Sequence, residues 1–180
     1  MIRGAVRLAI VGAGISYALD KILTEQAKGE PPDPIRSMIV IDAPIERVWA
    51  LLADIARQPE WMTEMKAVRI LTDGPIGVGT TCEAEVRILG ITVTDPVTIT
   101  EFDPPMRYAI SHDGTFKGSG VITLESGADL TTTVLRWEEQ LSPPVLPHLG
   151  ALVMTPALGA IFQADLVRFK ELVETGSVAG

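Results

Sequence analysis

With 180 residues, 47% of them hydrophobic and 21% charged, the chain has the size of one ordinary domain plus an appendage and the make-up of a folded protein. A net charge of −8 offers no basic surface to nucleic acid and disfavours general adhesion to anionic lipid. One cysteine excludes an internal disulfide, and two histidines without a companion cluster leave no pattern for a metal site.

Residues 1–27 carry Leu8, Val11, Ile15, Leu19 and Ile22 at three- and four-residue spacing, which predicts a helix. Arg3 and Arg7 before an uncharged stretch imitate a signal peptide, but Asp20 and Lys21 follow with no clear cleavage site. From Leu8 to Leu19 a helix covers about 18 Å against a hydrocarbon core of about 30 Å, too short for a full crossing. Gly12 and Gly14 mimic a dinucleotide-binding turn, yet no parallel βαβ unit follows to supply the phosphate site, so no cofactor is expected. The prolines at 31, 32 and 34 then make residues 28–36 a linker. A domain is expected over 37–174, with a tail at 175–180, and it should be complete without the first helix. That helix is left to dock on the domain, to form a homodimer, or to rest weakly on a membrane.

From Ser37 the hydrophobic period becomes two. It predicts strands near 37–42, 66–72, 80–89, 91–102, 106–113, 116–125 and 131–141, joined by Gly-, Pro- and Asp-rich turns and therefore antiparallel. Helices are expected at about 45–55 and 59–64. Thr155-Pro156 has the form of a cap and first helical residue, so the last helix is placed at 156–174, with residues 142–154 as a loop or a short lid-like helix. Its stripe includes Leu158, Ile161, Phe162, Leu166 and Phe169.

Between Val40 and Trp61 the chain reads V-I-D-A-P-I-E-R-V-W-A-L-L-A-D-I-A-R-Q-P-E-W: strand, Ala-Pro, acidic residue, Val-Trp, helix, Asp, then Pro-x-Trp. Gly77 and Gly79 precede a long strand, Phe102-Asp103-Pro104-Pro105 precedes Arg107-Tyr108, and an amphipathic helix closes the chain. Together, over about residues 37–174, this resembles the START/Bet v 1-like (SRPBCC) superfamily, the polyketide cyclase/dehydrase and lipid-transport type. The resemblance implies an α+β helix-grip fold, a curved antiparallel seven-stranded sheet wrapped on a long C-terminal helix, here with an extra N-terminal helix. It also implies a gap between sheet and helix that holds an apolar molecule. Fold alone does not name a reaction.

Alternation places Cys82, Ala84, Val86 and Ile88 on the inner face, with Ile91, Val93, Val97 and Ile99 beside them. Tyr108, Ile110 and His112 follow, then Phe116, Gly118, Gly120 and Ile122, and finally Thr133, Leu135, Trp137 and Glu139. Cys82 reads as a buried inert thiol, consistent with a cytoplasmic protein that meets membrane only through its first helix. The expected ligand contacts are Trp61, Met65, Tyr108, Gly118, Gly120, Trp137 and Phe162. Gly118 and Gly120 serve either close helix approach or ligand room. Tyr108 and His112 are roughly 13 Å apart along one strand, too far to form a dyad. The catalytic group is unknown, with Tyr108, His112 and Glu139 as candidates for proton transfer, or else as a tied-down hydroxyl and two strand-end residues in solvent. The expected function is binding, as carrier or sensor, of a hydrophobic small molecule such as a lipid, quinone or polyketide-like compound. The alternative is a cofactor-independent cyclase or dehydratase acting in the same cavity.

Overall fold

The computed structural model describes residues 2–28, 30–88, 90–115, 117–142 and 146–177, with side chains from residue 13 onward except 14, 88, 91, 147 and 153. Helix α1 spans Ile2–Gln26. Strands β1 Ile35–Ile41, β2 Met65–Ile70, β3 Thr81–Ile88, β4 Ile91–Asp103, β5 Arg107–Asp113, β6 Lys117–Ser126 and β7 Thr133–Ser142 follow. Helix α2, Ile45–Leu52, and a 3-10 helix, Ile55–Glu60, lie between β1 and β2, and helix α3, Pro147–Thr175, closes the chain. Phe116 and the side chains of Leu8, Val11, Ile88 and Ile91, all singled out above, lie outside the described residues.

The strands form one antiparallel sheet in the order β1-β7-β6-β5-β4-β3-β2. Consecutive strands from β2 to β7 pair antiparallel as a meander, joined by connections that range from a hairpin turn to the longer segment 71–80. The α2 segment carries the chain across, so that first and last strands become neighbours from Ile35 opposite Glu139 to Ile41 opposite Thr133. Period-two patterning decides the faces: on β7, Thr133, Leu135, Trp137 and Glu139 are buried while Arg136 and Glu138 are exposed. The curved sheet grips α3, whose Leu166 and Phe169 have no exposure at all. Burying each such side chain stabilises the fold by about 1.5–3 kcal/mol.

Three sequence expectations need correction. The sheet opens at Ile35, two residues early, because Ile35 is itself buried core. The helix expected at 45–55 stops at Leu52, and the short helix expected at 59–64 is the 3-10 helix Ile55–Glu60. Pro59, lacking an N–H, sits inside that helix and does not start a new one. Finally, α3 begins at Pro147, not Pro156, so residues 147–154 are the first turns of the long helix, neither a loop nor a separate short helix. Pro156 is exposed, as is Leu152, whose carbonyl loses its helical partner to the proline and can meet solvent instead.

The first turn of α3 is met by α1. Asp20, 7% exposed, accepts the backbone N–H groups of His148 and Leu149 on Oδ1 at 2.9 and 2.8 Å, capping the helix from another element. Thr24 hydrogen-bonds His148 Nδ1 at 3.1 Å, and the linker is held where Gln140 Nε2 donates to the Pro32 carbonyl. The first helix therefore docks on the domain, while Ile15, Tyr17, Leu19 and Ile22 face solvent. Asp20→Ala is expected to lower stability by about 0.5–2 kcal/mol. Amide hydrogen exchange at His148 and Leu149 should quicken, and unchanged exchange there would refute the cap. Among the described residues no helix is long and apolar enough to cross a membrane.

The outer side of β1 is covered by side chains of α3. Gln163 acts as a surrogate peptide group: its Oε1 accepts the Met38 N–H at 3.4 Å and its Nε2 donates to the Met38 carbonyl at 3.1 Å. Lys170 Nζ donates to the Val40 carbonyl at 2.8 Å, and Glu174 accepts the Asp42 N–H at 2.6 Å.

Candidate functional site

Sheet and helix leave a cavity of about 130 Å³ between them. By comparison, a dry engineered cavity of about 150 Å³ holds benzene, so the space as it stands suits about one six-membered ring. Its walls are mostly apolar, with Ala84, Val86, Val97 and Ile110 from the sheet and Met154, Leu158 and Phe162 from α3. Aromatic rings stiffen one side. Trp137 stacks on Phe162 with centroids 4.5 Å apart, and Trp61 meets Phe169 edge-on at 4.8 Å and Trp137 at 6.3 Å.

Trp61, Met65, Tyr108, Gly120, Trp137 and Phe162 all line this space, together with His112 and Glu139. Gly118 does not. A Cβ there would fall 1.8 Å from the Gln140 carbonyl oxygen, so this glycine permits close approach of β6 and β7 rather than ligand room. A Cβ on Gly120 would fall 2.5 Å from Glu139 Oε2, so its missing side chain makes space for a carboxylate, not for the α3 helix.

That glycine pair explains the polar end of the cavity. His112 on β5 and Glu139 on β7 are separated by β6, about 10 Å at ordinary strand spacing. Gly118 lies opposite His112 and Gly120 opposite Glu139, so the two side chains meet over a bare strand. His112 Nε2 lies 2.7 Å from Glu139 Oε1, and Nδ1 lies 2.5 Å from Asp95 Oδ2. Trp137 Nε1 donates to Glu139 Oε2 at 2.8 Å. Neither His112 nor Glu139 is a strand-end residue in solvent: their side chains are 14% and 4% exposed. Burial opposes the imidazolium, but the hydrogen bonds and charges of Asp95 and Glu139 outweigh it, and His112 is pushed up to about 10. The carboxylates approach opposite edges of the ring and do not converge on a common point. Among the described residues no group of three His, Cys, Asp or Glu is placed to hold a metal ion.

A second polar group lies on the same cavity. Asp165 of α3, 1% exposed, accepts the Thr63 N–H and hydroxyl on Oδ1, both at 3.0 Å, and faces Glu64. Burial raises Asp165, and burial followed by the charge of Asp165 raises Glu64. Tyr108 is buried beside Gln58, and that burial raises its phenol. Burial, then Asp95, raises the Cys82 thiol, which keeps it inert.

Asp95, Glu64 and Asp165 escaped the sequence reading. Asp95 shares the inward phase of Val93 and Val97, and Asp165 follows Phe162 by three on the buried stripe, so both carried a periodic signal masked by their charge. Glu64 precedes its strand and carried none.

A curved seven-stranded antiparallel sheet wrapped on a long C-terminal helix, with an aromatic-walled cavity between them, defines the helix-grip class of fold. The model of the polyketide cyclase/dehydrase and lipid transport family matches residues 35–174, and the chain belongs to that family. No curated protein matches it. Among solved structures it is similar to a protein from Thermus thermophilus, with TM-score 0.65 and 20% identity over 80% of this chain and 99% of that one. It is also similar to the Zhui aromatase/cyclase from a Streptomyces species, with TM-score 0.58 and 18% identity over 81% and 98%. A START superfamily protein from Mycobacterium smegmatis matches with TM-score 0.54 and 14% identity over 75% and 99%. At these identities the likeness is one of fold.

Proposed function

We propose that this chain binds a hydrophobic small molecule in the cavity between sheet and α3, as a carrier or sensor. The observation that carries this reading is a concave space between sheet and helix whose walls are largely apolar and aromatic, with a few polar groups gathered on them. At about 130 Å³ it favours a single-ring ligand, or one ring of a larger quinone or polyketide-like compound, over a whole lipid.

A second reading, a cofactor-independent cyclase or dehydratase, draws on Tyr108, His112 and Glu139 lining the same space. His112 is poorly suited to act as a base there, because both nitrogens are engaged and it holds its proton up to about 10, whereas an effective general base sits near the working pH. Binding therefore stands first.

An environment-sensitive apolar dye is expected to bind stoichiometrically, and Ala84→Phe, which adds a ring from the cavity wall, should abolish that binding. Native mass spectrometry of the purified protein should detect a co-purified small molecule in the parent chain and not in the filled variant. Dye binding unaltered by the substitution would place the ligand elsewhere.

A further inference from the structure

Helix α1 turns only one of its sides to the domain. Among the described residues its more buried positions are Ser16, Asp20, Leu23 and Thr24, and its side-chain hydrogen bonds to α3 come from Asp20 and Thr24, near its C-terminal end. About a third of a turn round the helix runs a second stripe, on which Ile15, Leu19 and Ile22 are 57%, 46% and 53% exposed. Helical register carries that stripe on through the positions of Leu8 and Val11. An apolar stripe of this kind marks an interaction surface.

The spacing of the stripe points to what covers it. Four and seven positions from Ile15 stand large apolar residues in both directions, Val11 and Leu8 on one side, Leu19 and Ile22 on the other. Three positions away in both directions stand small ones, Gly12 and Ala18. A pattern that reads the same from either end suits an isologous contact: a twofold axis through Ile15 sets Ile15 on Ile15, Val11 on Leu19 and Leu8 on Ile22, with the small residues allowing close approach of the backbones. Charge favours the same orientation. Arg7 and Glu25 stand on one flank of the stripe, and in antiparallel helices like flanks face each other, so each Arg7 comes within a turn of Glu25 of the other copy. A parallel pair would instead gather both copies of Arg3 and Arg7 at one end. Because α1 is held near its C-terminal end, the antiparallel pair also carries the two domains towards its opposite ends. A bilayer fits less well, since an interfacial helix opposes its apolar face with a basic one, whereas α1 carries Asp20 and Glu25 in a chain of net charge −8.

We infer that α1 is the dimerisation element of this protein, and that two copies pair antiparallel through the stripe centred on Ile15.

Sedimentation equilibrium of the full chain tests this. At about 0.1 mM the parent chain should give twice the monomer mass of 19.3 kDa. Ile15→Asp, made at an exposed position, should give the monomer mass with the near-ultraviolet circular dichroism of the domain unchanged. Glu25→Arg should weaken the dimer about tenfold, because like charges then meet at both symmetry-related contacts, and adding Arg7→Glu to the same chain should restore it. A monomeric parent chain, a dimer that survives Ile15→Asp, or a double variant no tighter than Glu25→Arg alone overturns the inference. A monomer that instead co-sediments with vesicles of phosphatidylcholine and phosphatidylglycerol assigns the stripe to a membrane and overturns it as well.

Discussion

His112→Phe should cost about 3–5 kcal/mol in urea unfolding at neutral pH, because it leaves Asp95 and Glu139 as uncompensated buried charges. The pH dependence gives the effect its signature. Folding raises His112 from 6.5 to about 10, so its stabilisation is fully present below pH 6.5 and is lost as pH rises towards 10. Cys82 and Tyr108 are also raised, from 9.0 and 10.0, and add their own losses above those values. The window to compare is therefore pH 6.5 to 9, where the parent chain should weaken with a histidine slope that the Phe variant lacks, the raised Glu64 and Asp165 being common to both chains. Equal and flat stability in both chains across the window would show that the two carboxylates do not hold an imidazolium.

Trp61→Ala should be comparably large, about 3–5 kcal/mol, since the ring is 2% exposed and packs against Trp137 and Phe169. The indole N–H has no partner in the structure, so the loss is one of packing and leaves no broken hydrogen bond behind. The void should adjoin the existing cavity and admit free indole. At a hundredfold excess over its Kd, indole would return about 2.7 kcal/mol, read as a rise in melting temperature. A variant that is destabilised but indifferent to indole would mean that the neighbours had collapsed into the space.

The strands were readable in the chain because they rest on local periodicity, whereas the grip of sheet on helix came from the family resemblance. Arg136 and Glu138 alternating with Leu135 and Trp137 settle a face without reference to anything else. The start of α3 was readable only in part: Pro147 stands at the first helical position, the same signal that Pro156 imitates, while the acceptor for the first N–H groups is Asp20, 128 residues away from His148. The polar end of the cavity was readable in part. His112 and Glu139 were placed on the inner face, but their meeting requires two conditions that periodicity does not state: a strand without side chains between them, and Asp95 on the far side of the ring. Gly118 and Gly120 were visible as unusual, and their purpose emerged only from what lies across them. Charge was the misleading signal, because an inward aspartate reads as an error in the pattern until its histidine is found.

A seven-stranded sheet that does not close on itself has two rims, and each rim presents unpaired backbone groups able to recruit a strand from another chain. The Gln163 amide and the Lys170 ammonium occupy the Met38 N–H and carbonyl and the Val40 carbonyl, so the middle of that rim is already partnered. At the opposite rim β2 is six residues long and carries Lys66 and Arg69 exposed on it, charges that an added strand would have to bury. Both rims of the sheet are thereby poor templates for extension by a strand of another copy.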